Sequence, residues 1–586
     1  MTVPVAERGS ARQRGGGIGR AAVLIGSITM LARVIGFGRQ VVFAHTVQAS
    51  CLGTAYTTAN MVPNIIYDIV AGGALTAVVV PVLAGPARAS GGGDQSADLE
   101  QVRQTSAALL SWTVLLLVPV SVVIAIIARP LVSLLLGGTP GCPRAHMVAL
   151  SARMLVVFAP QILLYGLAVV LYGILQSHRR FAAPALAPVL SSLVVIGAYF
   201  WFGVAGNGYQ DLARPVPTQS WVVLAAGTTI GVAALVATPL IPAARLLLVR
   251  GGDSARPRGG STPPAPPGGP PGHGGVSPPH DPLAPRKGLR LRPRLRFPAG
   301  IGARVRALAA AGVATLIAQD ASVAVVIVLA NSRGGSGALV LFSFAWAVFF
   351  VPYAVLAVPI ATSAFPELSA RSRSFDATSA TSTRAVMVAS WLGVAGMAGT
   401  CVPLARVFQS HVGQAADARQ LAIALAAFAP GLLGYGLTAN LSRVLYADGR
   451  NRAAALAVSG GWLLVIVADL LIVPFVPRSA VVPWLGAGTT IGLTASGVAL
   501  LVLVRRFRGP GALRGCARAA LAGLAGALAG AAAGLGVSAG LRTTGFLPNV
   551  AVTLLASGAV LVAFLAVVAV ADGGDLRAVL RRVIRA

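Results

Sequence analysis

Residues 158–167 read FAPQILLYGL, and residues 428–437 read FAPGLLGYGL, identical at seven of ten positions. A second pair, LAAGTTIG at 224–231 and LGAGTTIG at 485–492, agrees at seven of eight. Each copy lies in an apolar run reaching the roughly 20 residues a bilayer-spanning helix needs. The chain therefore reads as two similar halves, each built from membrane helices.

Apolar runs outward from these repeats give fourteen helices, near residues 18–45, 54–85, 105–128, 148–176, 182–206, 219–249, 303–332, 336–369, 385–407, 418–446, 453–476, 480–504, 516–541 and 547–571. The repeats fall in helices 4 and 10 and in helices 6 and 12. Six helices per half is an even number, so both halves enter the membrane from the same face. An axis along the membrane normal then relates them. The expected fold is an all-α polytopic membrane protein: two six-helix lobes flanking a central cavity, related by a pseudo-two-fold, with helices 13 and 14 outside the repeat.

Composition agrees. Of 586 residues, 56% are hydrophobic and 11% charged, and mean hydropathy is +0.79, which excludes an ordinary soluble protein. A formal charge of +30 would suggest nucleic acid in a soluble chain. Here the arginines lie mostly in alternate loops, as topology demands, so no nucleic-acid partner is expected. The N-terminus, the loops after even-numbered helices (His178-Arg179-Arg180; Arg371 and Arg373; Arg450 and Arg452; Arg505, Arg506 and Arg508) and the tail (Arg577, Arg581, Arg582, Arg585) are basic. Both termini are expected on the cytoplasmic side. The polar start, with Arg8, Arg12 and Arg14, leads straight into a span, so the first helix is expected to act as its own targeting signal. Arginine outnumbers lysine, present only as Lys287, in the manner of a GC-rich bacterial genome.

Residues 250–302 hold a Pro/Gly-rich stretch and then a basic run from Arg286 to Arg296. Such a segment cannot bury enough apolar surface to fold and is expected to be a disordered cytoplasmic linker, its basic end on anionic lipid. The expected organisation is a cytoplasmic tail (1–17), an N-lobe (18–249), the linker (250–302), a C-lobe (303–504), helices 13 and 14 (505–571) and a second cytoplasmic tail (572–586). Four cysteines, Cys51, Cys142, Cys401 and Cys516, show no metal-ligand spacing. Cys51 and Cys142 both fall in expected outer loops, which leaves open a disulfide between them or four unrelated thiols.

Polar residues inside spans mark the candidate site. Arg33 lies thirteen residues beyond Arg20, about 20 Å into the bilayer and too deep to snorkel easily. Near the bilayer centre an arginine costs roughly 2.5–3.5 kcal/mol, so a wet cavity that receives an anion is the reading that accounts for it. Arg39, about 28 Å in, either faces that cavity or snorkels to the outer interface. A six-residue spacing sets the two side chains about 120° apart, so they share a cavity only if it is wide or if Gly36 and Gly38 bend the helix.

Helix 2, with Pro63, Pro81 and Gly72-Gly73, should be bent or tilted, and carries Asn60, Asn64 and Asp68. Asp68 either pairs with a helix 1 arginine or faces the opposite lobe. Asp320 in helix 7 is either a coupling-ion or proton site or the partner in an interhelical hydrogen bond. Asp469 in helix 11 is expected to be lobe scaffold. No catalytic constellation, metal site or cofactor motif appears, and the lack of a nucleotide loop excludes ATP hydrolysis within this chain. Transport would have to draw on a gradient or potential.

The segments TMLARVIGFGRQ of helix 1, VPNIIYDIVAGGALTAVVVPVL of helix 2, RFAAPALAP from Arg180 and VPYAVLAVPIATSAFPELS of helix 8 resemble, in this order, the MurJ (MviN) family of lipid II flippases. That family lies within the multidrug/oligosaccharidyl-lipid/polysaccharide exporter superfamily, and the resemblance covers residues 18 to 572. It implies fourteen helices working by alternating access, with Arg33 and Arg39 holding the pyrophosphate and sugars of lipid II or a related polyprenyl-pyrophosphate saccharide. It also implies a groove for the lipid tail beside helices 13 and 14, a place in the bacterial cytoplasmic membrane, and cell-wall synthesis proteins as partners alongside membrane lipids. The chain departs from the family where Tyr67 and Asp68 replace paired arginines, Gly72 a glutamate, Thr54 an acid and Ala347 an arginine. Its cavity is expected to be less cationic than the family's. Two other readings stand beside this one: a cation-coupled exporter of drugs working through Asp68 and Asp320, and a non-transporting scaffold of cell-wall synthesis.

Overall fold

A computed structural model describes residues 27–28, 30–69, 95–177, 180–205, 208–248, 301–370, 373–408, 415–541 and 543–585. Among these residues every regular element is helical. We label the segments by expected span: α1 (30–46), α2 (Cys51–Tyr67), α3 (Gln95–Ile126), α4 (Arg144–Phe158 with Pro160–Ser177), α5 (Ala182–Ala205), α6 (Thr218–Leu248) and α7 (Ile301–Leu329). Then follow α8 (Ala338–Pro352 with Val358–Ser369), α9 (Phe375–Gly399 with Cys401–Phe408), α10 (Ala415–Phe428 with Gly431–Ala447), α11 (Asn451–Ile472), α12 (Val481–Arg508), α13 (Cys516–Gly540) and α14 (Phe546–Arg585).

Ten of the described helices are long and apolar enough to cross a membrane, and two bent pairs raise the number to twelve. The other two expected spans, helices 1 and 2, lie partly outside the described residues, as do Gly72, Gly73, Pro81 and all but the end of the 250–302 linker. Side chains such as Ile126 (75% exposed), Leu456 (74%) and Val570 (90%) form apolar outer faces suited to contact with lipid.

Several boundaries differ from those expected. α9 begins at Phe375 rather than 385, because its first turns are rich in buried Ser and Thr instead of apolar residues. Thr383 accepts a 3.0 Å hydrogen bond from Asn440 Nδ2 of α10, so polar groups join these helices where hydropathy gave no signal. α14 runs to Arg585, so the expected tail from 572 is helical, and α12 extends to Arg508. A short helix, Ala128–Leu136, follows α3.

The repeats are visible as geometry. Thr229 Oγ1 donates to the carbonyl of Val157 at 2.9 Å, and its counterpart Thr490 donates to that of Ala427 at 2.7 Å. Each carbonyl directly precedes a Phe-Ala-Pro break, where proline removes a backbone donor and interrupts the helical ladder. Threonines of α6 and α12 thus satisfy the broken backbones of α4 and α10, and α10 bends there by 42°. The lobes differ two residues earlier in the motif. Gly227 packs on Ala198, whereas Gly488 packs on Asp469, and a Cβ at either glycine would collide with that neighbour.

Hydrogen bonds between the lobes gather at one end. Asn331, in a π-helical turn after α7, donates to Thr58 Oγ1 and to the carbonyl of Leu135, both at 3.0 Å. The backbone N–H of Gly337 donates to Thr54 Oγ1 at 2.9 Å. Gly337 has φ +78, and a Cβ there would strike the carbonyl of Ala49, so only glycine suits the position. At this end a disulfide joins Cys51 to Cys142, which decides between the two readings of the cysteines. At the arginine-rich end, Arg508 binds Asp376 at 2.8 Å and Asp448 at 3.4 Å and lies 4.4 Å over Phe375, tying α9, α10 and α12 together.

Candidate functional site

Between the lobes lies a cavity of about 760 Å³. Arg33 and Arg39 both line it, with Asn60, Asn64 and Asp68 of α2 and Gln319 and Asp320 of α7. Every candidate site residue read from the sequence borders this one space.

Helix α1 is continuous through Gly36 and Gly38, so no break brings the two arginines together. The cavity instead runs along one broad face of α1, about 160° wide at 100° per residue, holding Ala32, Arg33, Gly36, Phe37, Arg39, Gln40 and Phe43. Among the described residues neither arginine forms an ion pair, and the Arg33 guanidinium lies 5.1 Å above the ring of Phe350 on the opposite lobe. Asp68 lines the cavity without an ion pair to either arginine, so of its two readings the structure shows no pairing.

Other polar groups are held by their own helices or left unmatched. Asn64 Nδ2 donates to the carbonyl of Asn60 at 3.0 Å, whereas the side-chain oxygen of Asn60 is buried without a hydrogen-bond partner. Both carboxylate oxygens of Asp320, 3% exposed, also lack a hydrogen-bond partner among the described residues. A buried polar atom without a partner costs roughly 1–3 kcal/mol, so a ligand that supplies one is favoured. Asp469 is buried between α11 and α12, and neighbouring residues Trp462, Val465 and Thr489, rather than Asp469, border the cavity.

Two features escaped the sequence reading. One is a network in which the Tyr56 hydroxyl meets that of Tyr199 at 2.9 Å and Thr228 Oγ1 at 2.7 Å, joining α2, α5 and α6 on the cavity wall. Thr228 lies inside the LAAGTTIG repeat, which was the available signal. The other is an aromatic wall on the C-lobe. Ser343, Trp346, Ala347 and Phe350 fall on one face of α8, and Trp346 and Phe350 border the cavity with Tyr435 and Trp462. Trp346 stacks on Phe349 at 5.4 Å and meets Phe428 at 6.2 Å, both fully buried, and Tyr435 stacks on Tyr353 at 3.9 Å.

A helical bundle of many spans, with two halves around an internal cavity that carries fixed cations, defines the architecture of a membrane transporter. The family model described as "Lipid II flippase MurJ" matches residues 43–533, and the chain belongs to the MurJ family. Curated relatives include the lipid II flippase MurJ of Burkholderia cenocepacia, 28% identical over 208 residues, which are 36% of this chain and 37% of that one. The probable lipid II flippase MurJ of Rhizobium tropici is 27% identical over 209 residues, 35% and 36% of the two chains. Aligned residues thus span little more than a third of these relatives. Among solved structures, a lipid II flippase MurJ in an inward closed conformation superposes with a TM-score of 0.65 at 16% identity, covering 94% of this chain and 98% of that chain. An inward-facing multidrug resistance MATE family transporter of the MOP superfamily gives 0.58 at 15% identity, covering 84% and 98%. At these identities the likeness establishes a shared fold.

Proposed function

We propose that this protein moves lipid II, or a closely related polyprenyl-pyrophosphate saccharide, from the inner to the outer leaflet of a bacterial cytoplasmic membrane by alternating access, for cell-wall synthesis. The observation that carries the reading is the placement of Arg33 and Arg39, without an acidic partner among the described residues, on the wall of a cavity between two lobes. Sugars and pyrophosphate cannot cross hydrocarbon unaided, because unpaired charge and hydroxyls are costly to bury. Fixed guanidinium groups take the place of water, and their planar forks suit phosphate oxygens.

Both termini and the Arg508 cluster face the cytoplasm in this reading, and the Cys51–Cys142 end faces outward, where a disulfide persists. Asn60, Asn64 and Asp68 contact the headgroup, and Asp320 is the candidate for a coupling ion. A potential negative inside drives an anion outward, by roughly 2.3 kcal/mol per charge per 100 mV. The 250–302 segment links the lobes on the cytoplasmic side.

The test is depletion in the native host, complemented by wild type or by Arg33→Ala, with lipid II assayed on each leaflet. Wild type restores outer-leaflet lipid II. Arg33→Ala loses one or two charge-assisted hydrogen bonds and lowers transport by about tenfold or more at unchanged membrane abundance. Unchanged transport by Arg33→Ala would remove the assigned role. Two carboxylates on the same cavity, Asp68 and Asp320, favour a second reading as a cation-coupled drug exporter. In that case Arg33→Ala would raise export of a cationic dye, since it removes a repelling charge.

A further inference from the structure

Both arginines on the cavity wall come from the N-lobe, whereas α8 of the C-lobe presents Trp346 and Phe350 to the same space, beside Tyr435 and Trp462. We propose that Trp346 and Phe350 form the platform on which the saccharide of the transported lipid stacks, making Trp346 a specificity-determining residue. This inference rests on the flippase reading of the same cavity.

A pyranose ring has an apolar face of C–H groups inside a rim of hydroxyls. Its slightly positive hydrogens meet the negative face of an aromatic ring, and its rim seeks hydrogen-bonding groups. The cavity offers both. Trp346 and Phe350 are half-buried one turn apart on α8, with the small residues Ser343 and Ala347 beside them on the same face. Phe349 and Phe428 back Trp346, so its ring is fixed before a ligand arrives and little freedom is lost on binding. Around the wall stand Gln319, Asn64 and the unpartnered oxygen of Asn60, able to take up hydroxyls.

Distance ties this wall to the anion site. Arg33 lies 5.1 Å from the centre of the Phe350 ring, so a phosphate on Arg33 places the sugar bonded to it against the aromatic face. A lipid tail is the other apolar occupant. It is disfavoured because the wall faces arginines, amides and a carboxylate within the cavity, where a polyprenyl chain would leave those groups unmatched.

The experiment compares equilibrium binding of lipid II and of sugar-free polyprenyl pyrophosphate to the full chain in lipid nanodiscs. For Trp346→Leu, which keeps apolar bulk but loses the ring, lipid II affinity should fall about tenfold while polyprenyl pyrophosphate affinity stays within about twofold. Trp346→Phe should restore most of the lipid II affinity, and an unchanged thermal midpoint for Trp346→Leu would certify its fold. Equal weakening of both ligands, or lipid II affinity unchanged in Trp346→Leu, overturns the platform and leaves the flippase reading standing. Wild type that binds neither ligand removes both.

Discussion

Arg33 reaches the cavity from the first half of α1, residues 30–38, where every other residue is apolar or small, and its guanidinium lies over Phe350 of the other lobe. A guanidinium over a ring face gains roughly 0.5–2 kcal/mol, enough to park the charge and little enough for a phosphate to displace it. Depth along helix 1 exposed this residue in the sequence, because a buried cation has few inexpensive explanations. Trp346 had no comparable signature: an aromatic residue in an apolar helix reads as core, and only packing against Phe349 and Phe428 shows which edge is free. The same blindness applies to glycine. Gly488 lies against the Asp469 carboxylate, so Gly488→Ala should lower stability by about 1–3 kcal/mol through overpacking. Thermal-shift measurement checks this, and Gly488→Ala in an Asp469→Ala background should recover most of the loss. Equal losses with and without the carboxylate would refute the contact.

Elements were legible where hydropathy and arginine bias agreed, and less so where polar residues form part of a helix. The start of α9 and the end of α14 extend past the expected boundaries for that reason, as serines, threonines and arginines continue helices that apolar counting stops early. The Phe-Ala-Pro motifs, by contrast, disclosed both a repeat and a break, and Thr229 and Thr490 show what repairs it. The disulfide fastens the first turn of α2 to the loop before α4 and closes a sequence separation of 91 residues. Chain-entropy arguments credit such a loop with at most about 4–5 kcal/mol, less where the unfolded state stays in the membrane. Replacing Cys51 and Cys142 together by serine should lower the thermal midpoint. A reductant should do the same to wild type and nothing to the double variant; identical midpoints in all cases would show that the bond adds no stability.

At the scale of the molecule, two lobes meet through few polar contacts at the disulfide end, and the cavity lies between them. Asn331 spans this seam with two hydrogen bonds, each worth about 1 kcal/mol. Asn331→Ala should therefore shift the balance toward separation at that end by on the order of tenfold. Spin labels placed across the seam would report it as longer distances, and an unchanged distribution would deny Asn331 that role. The lobed plan followed from the paired motifs and the even count of helices, whereas the seam could not, since a single asparagine after α7 carries no pattern. In the proposed mechanism Arg33 and Arg39 hold the pyrophosphate of the lipid. A structure of the full chain bound to lipid II tests it most directly. Phosphate oxygens are expected about 2.7–2.9 Å from guanidinium nitrogens of Arg33 or Arg39, with the sugar toward Trp346. A headgroup seated elsewhere, with both arginines unengaged, would contradict it.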